Sequence, residues 1–183
     1  MLFALLLTAC DSTDTGSGSG TDTSDTGGGG SNLNAPPLVI NEVLASNHTA
    51  QADAAGEFND WVEIYNNGDT IVQLTGFYLT DDEAEPTVYA MPTGVGIDAG
   101  GFLAIWCDGQ PEQTTGTEYH APFKLNRKGD TLFLNYAEGS DLVTVDSVYW
   151  EAEQTADIAA ARVPDGTGSF VLQAPTYEAS NGG

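Results

Sequence analysis

From Leu38 onward the chain repeats one pattern: a short run of alternating apolar side chains, then a cluster of Gly, Asn, Asp or Pro. A period of two lines one face of an extended strand, whereas a helix needs apolar residues three and four apart. Leu38-Val39-Ile40-Asn41-Glu42-Val43-Leu44 and Trp61-Val62-Glu63-Ile64-Tyr65 open the series. Ile71–Leu74, Phe77–Leu79, Thr131–Tyr136, Leu142–Val145, Val148–Trp150 and Phe170–Leu172 continue it. Phe102–Cys107 is apolar on both faces and reads as a central strand. Asn66-Asn67-Gly68-Asp69 predicts a hairpin after Tyr65, because Asn-Gly accepts positive φ. Glu151–Ala161 has a helix-compatible composition but no apolar stripe. Many short strands with frequent turn signals predict an all-β sandwich or barrel. Trp61, Phe77, Trp106 and Phe133 are its expected core rings, each contributing roughly 1.5–3 kcal/mol on burial. An aromatic ligand platform is the sharper reading of the same residues.

The N-terminal part is of another kind. Met1–Ala9 is apolar and ends in small residues, and at 1.5 Å per residue it would span only about half of the ~30 Å hydrocarbon core. That suits a secretory signal peptide over residues 1–9, with any basic start lying upstream of Met1. Leu7-Thr8-Ala9-Cys10 resembles a bacterial lipobox, which implies cleavage before Cys10 and lipidation of that residue. Residues 11–30 contain only Asp, Ser, Thr and Gly, so nothing apolar offsets the entropy of ordering them. Residues 10–36 therefore read as a lipidated cysteine and a disordered tether, with a mean reach of roughly 28 Å. The folded domain is expected over residues 37–183.

Charge narrows the partners. Four Lys and Arg against 27 Asp and Glu give a formal net charge of −23. Nucleic-acid binding needs clustered cations and is not expected. Docking on anionic lipid by charge is disfavoured for the same reason. Lys124, Arg127 and Lys128 are three of the four cations and read as partners for nearby carboxylates.

The folded part resembles the lamin tail domain family. The resemblance rests on Val39–Asn47, Asp60–Asn66, Leu74–Asp82, Ile97–Leu103, Phe123–Leu125, Asp146–Val148, Arg162–Gly168 and Ala179–Asn181, in that order. It implies an immunoglobulin-like β-sandwich, and a non-catalytic module of the kind that accompanies bacterial secreted proteins. The chain carries no heptad rod, no Cys-a-a-X box and no basic run, which argues against a nuclear filament. Physical readings stand beside the motifs. Gly76 suits a bend, Gly100-Gly101 a tight turn, and Pro164-Asp165-Gly166 a turn with glycine at positive φ. Glu42, Asp60 and Glu63, set among apolar neighbours, are expected to accept backbone N–H groups.

A search for chemistry finds little. His48 and His120 are the two histidines, both expected at the surface, and there is no Gly-x-Ser-x-Gly elbow. No His or Cys pair has zinc-ligand spacing. Gly94-Val95-Gly96-Ile97-Asp98-Ala99 fits a loose dinucleotide pattern but runs into a strand instead of a helix. Asp81-Asp82-Glu83 begins the densest acidic run of the folded part; hard oxygens so close suit calcium, and a solvated loop is the plainer alternative. Cys107 is expected as a buried thiol, or as a partner of Cys10 were that residue left unmodified. The expectation is a non-catalytic protein without a cofactor, anchored through Cys10 to a bacterial envelope membrane, inner or outer. It would serve a structural or interaction role toward a protein or surface polymer. A calcium-dependent adhesion module is the alternative, and a carboxylate-pair hydrolase a weaker one.

Overall fold

The structure is a computed structural model that describes Thr8–Ala9 and residues 35–182; the expected lipidation site Cys10 and tether residues 11–34 lie outside the described residues. Among the described residues thirteen strands follow one another: β1 Thr8–Ala9, β2 Leu38–Leu44, β3 Trp61–Asn66, β4 Val72–Gln73, β5 Phe77–Thr80, β6 Tyr89–Ala90 and β7 Gly96–Ile97, then β8 Phe102–Cys107, β9 His120–Ala121, β10 Asp130–Glu138, β11 Asp141–Trp150, β12 Ala159–Val163 and β13 Ser169–Gln173. One turn of 3-10 helix, Pro111–Gln113, lies between β8 and β9. No helix among the described residues is long and apolar enough to cross a membrane.

The strands form two main sheets, ordered β1-β11-β10-β5-β6 and β13-β12-β2-β3-β8-β9, with β4 and β7 pairing separately. Pairing is antiparallel except between β8 and β9. Alternation along each strand decides what enters the space between the sheets. Ile40, Val43, Val62, Ile64 and Ile105 enter from one side, and Phe77, Leu79, Leu132, Leu134, Val148 and Trp150 from the other. The opposite parity of β3 and β8 places Trp61 beside Trp106 in a second cluster with Leu44 and Ala159, on the outer face of the six-stranded sheet.

Two sequence expectations need correction. Phe133 is only half-buried, because Leu132 and Leu134 take the inward parity of β10 and leave the ring between them facing out. The fourth fully buried large ring, with Trp61, Trp106 and Phe77, is Trp150, whose indole donates to the Asn126 carbonyl. No hairpin forms at Asn66–Asp69, since the chain leaves β3 for β4, which pairs with β7. Tertiary contact dictates that turn: a Cβ on Gly68 would lie 2.5 Å from Pro37 Cγ, and Asn66 Nδ2 donates to the Thr70 and Ile97 carbonyls. The turn at 164–166 is as expected, with Gly166 at φ +72°.

A β-bulge at Asn41 shifts the register between Ile40 and Glu42. The extra residue, Asn41, has no partner on β3, while Ile40 stays opposite Ile64. Asp146 from the facing sheet accepts the Ile40 N–H at 2.9 Å, and Arg162 Nε donates to the Ile40 carbonyl at 2.8 Å. Arg162 and Asp146 also pair with each other at 3.0 Å, both more than nine-tenths buried. The guanidinium lies 4.5 Å over the Phe170 ring. An ion pair thus bridges the two sheets beside the bulge and also holds the Ile40 N–H and carbonyl.

Candidate functional site

Three ligand-type side chains converge at one end of the six-stranded sheet. Asp108 follows β8 directly, and its Oδ1 accepts the Gln110 N–H. His120 lies on β9, paired in parallel with Trp106, and its ring stacks on that indole. Asp53 belongs to the long loop between β2 and β3, where its Oδ1 accepts the Glu57 N–H at 2.8 Å and fixes a turn. A ligand atom from each of the three lies within 4.8 Å of the others, and all three side chains are buried. His120 Nδ1 is 2.7 Å from Asp108 Oδ2. Asn59 Nδ2 reaches Asp53 Oδ2 at 3.2 Å and Asp108 Oδ2 at 3.3 Å. A mixed set of imidazole and carboxylates suits a transition-type divalent cation better than calcium.

This set escaped the sequence reading. His120 was expected at the surface and is 1% exposed, because the loop carrying Asp53 and Asn59 closes over the outward face of β9. His48 is exposed as expected, its backbone N–H held by Asp157. The acidic run lies elsewhere, in the turn after β5. There Asp82 Oδ1 accepts the Ala84 N–H, Asp81 is half-buried, and Asp82 and Glu83 are exposed. Among the described residues, the ligand atoms that come together are those of Asp53, Asp108 and His120 and not those of Asp81, Asp82 and Glu83.

A second constellation lies on the outer face of the six-stranded sheet. Glu42 on β2 and Glu63 on β3 are directly opposite, and neither has exposed surface. The C-terminal segment, residues 174–182, lies over them as a strap. Thr176 donates to Glu42 through its N–H at 3.1 Å and its hydroxyl at 2.7 Å, and the Glu178 N–H donates to Glu63 at 2.6 Å. Between those two contacts Tyr177 packs edge-on against Trp61 and beside Trp106. Burial pushes the Glu42 carboxyl up to about 7 and the Glu63 carboxyl up to about 8, against the lowering effect of these hydrogen bonds. Asp60 accepts the Asn47 N–H. All three carboxylates therefore accept backbone N–H groups, as their sequence context predicts.

Cys107 is a buried free thiol whose pKa burial drives well up, which leaves little thiolate for chemistry. An open polar cleft of about 330 Å³ lies between Ser46, Asn47, His48, Asp60, Asn126 and Arg127.

Residues 32–152 match the family described as Lamin Tail Domain. The chain belongs to the lamin tail domain family. No curated relative matches it. In this lamin tail domain Asp53, Asn59, Asp108 and His120 all fall inside the matched stretch, as do Glu42 and Glu63. β12, β13 and the strap follow it, yet they complete the six-stranded sheet and supply Arg162, Thr176 and Glu178. The fold is all-β, and the family is one of structural and interaction modules.

Proposed function

We propose that this lamin tail domain is a non-catalytic interaction module held at a bacterial cell envelope by lipid on Cys10. The observation that carries the non-catalytic reading is the state of Glu42 and Glu63. They have the most strongly raised carboxyl pKa values among the described residues, and the chain's own strap closes over both. Groups suited to acid–base work are thereby engaged in holding the fold. The anchor reading rests on Leu7-Thr8-Ala9-Cys10 and on the Asp/Ser/Thr/Gly tether behind it. Cleavage ahead of Cys10 removes Thr8 and Ala9, which pair with Tyr149 and Val148. The outer edge of β11 is then open to an extended segment of a protein partner, the simplest way for a sheet to recruit one.

The experiment is metabolic labelling with a radioactive fatty acid in a bacterial host, followed by fractionation. The expected result is label on the protein and recovery with membranes, both lost in Cys10→Ala. An unlabelled protein, or membrane recovery that Cys10→Ala leaves unchanged, would sink the anchor.

A further inference from the structure

We propose that Asp53, Asp108 and His120 form a zinc site, with Asn59 as the fourth ligand. Zinc binds imidazole nitrogen and carboxylate oxygen at about 2.0–2.2 Å, so the ligand atoms of a tetrahedral site stand roughly 3.3 Å apart. The separations here are 2.7 Å for His120 Nδ1 to Asp108 Oδ2, and 3.2 and 3.3 Å from Asn59 Nδ2 to the two aspartates. Asn59 is aligned for the role. A half-turn of its amide exchanges Nδ2 for Oδ1 and presents an oxygen as the fourth ligand to the same space.

Charge supplies an independent argument. Asp53 and Asp108 are buried carboxylates, 7% and 2% exposed. Among the described residues Arg127 pairs with Glu153 and Arg162 with Asp146, so no Lys or Arg neutralises either aspartate, and Asp108 meets the His120 ring instead. Three carboxylate oxygens, from Asp53, Asp108 and Glu57, converge instead on the Asn59 amide nitrogen, which has two hydrogens. Buried charges without a counter-charge are costly, and a divalent cation supplies what the side chains lack. Calcium is the poorer fit, since it takes six to eight oxygens at 2.3–2.6 Å and does not favour imidazole. A bound zinc would tie the long loop after β2 to the ends of β8 and β9, bracing the sandwich at that end.

The test uses the purified full chain, stripped with chelator and dialysed against zinc. One zinc per chain is expected, with a rise in Tm that calcium at the same concentration does not reproduce. Asp53→Asn and His120→Gln should each weaken zinc binding at least ~100-fold, beyond the ~10–100-fold that loss of an outer-shell partner costs. Asn59→Asp separates a ligand role from a structural one. It should lower Tm in chelator, by adding a third carboxylate beside two buried ones, and raise zinc affinity. Absence of stoichiometric zinc overturns the proposal. So does zinc binding undiminished in both Asp53→Asn and His120→Gln, or Asn59→Asp that lowers Tm equally with and without zinc. Should His120→Gln fail to fold, Asp53→Asn and Asn59→Asp decide the matter.

Discussion

Arg162→Met is expected to lower the unfolding free energy by about 3–5 kcal/mol, the range found when one partner of a buried ion pair is removed. For a domain of this size that is a fall in Tm on the order of 10 °C. The guanidinium touches Asp146, the Ile40 and Gly168 carbonyls and the Phe170 ring. Methionine keeps the hydrophobic stem and loses every polar contact. Asp146 is then left charged inside the sandwich, where burial already raises its pKa and Arg162 is the main influence holding it down. The paired change Arg162→Met with Asp146→Leu removes the stranded charge and should recover part of the loss. It should not recover all, because the Ile40 N–H and carbonyl at the bulge lose their partners, and each unsatisfied buried group costs roughly 1–3 kcal/mol. Urea unfolding with an unchanged m-value is the measurement. A single-variant loss under about 1 kcal/mol would show that the pair is incidental to stability.

The same bulge shows where sequence reasoning works and where it stops. Alternation in Leu38–Leu44 and Trp61–Tyr65 and the two-faced apolar run Phe102–Cys107 are local properties, and they place three adjacent strands of one sheet correctly. Parity within a strand is just as local, yet Phe133 is not a core ring, because Leu132 and Leu134 take the inward face of β10. The Asn67-Gly68 signal failed for another reason. Turn propensity is a weak preference, and the fit of Gly68 against Pro37 together with the Asn66 side-chain bonds overrode it. The candidate metal site was hardest to read. Asp53, Asp108 and His120 come from a loop, a strand end and a short parallel strand, so no spacing rule joins them. One signal was present: Tyr119, Ala121 and Phe123 point into the core, which commits His120 to the face carrying Trp106. That the loop with Asp53 closes over this face is a tertiary fact with no trace in either segment alone.

Raising the pH from 5 to 9 is expected to destabilise the domain, by several kcal/mol if both strap carboxylates titrate as their surroundings dictate. The sign follows from proton counting. Glu42 and Glu63 have folded pKa values of about 7 and about 8, against an ordinary value of 4.5 in the unfolded chain. Between those limits the folded state holds more protons than the unfolded one, so unfolding releases protons and becomes easier as pH rises. The contribution is complete below about pH 4.5 and is lost through pH 7 and 8. Physically, the two carboxyls face each other across β2 and β3 under the strap, so ionising both puts like charges together in a dry space. The general acidity of the chain also disfavours the compact state at high pH, so the slope alone does not identify these residues. Glu63→Gln does, because it keeps the shape and removes the proton that titrates highest. That variant should flatten the loss of stability above pH 7 and bring the strap contacts through to pH 9. Tryptophan fluorescence reads the strap directly, since Tyr177 covers both Trp61 and Trp106. In the unsubstituted chain the emission should move to the red as pH rises, and in Glu63→Gln it should stay. Equal red shifts in both proteins would place the pH sensitivity elsewhere in the domain.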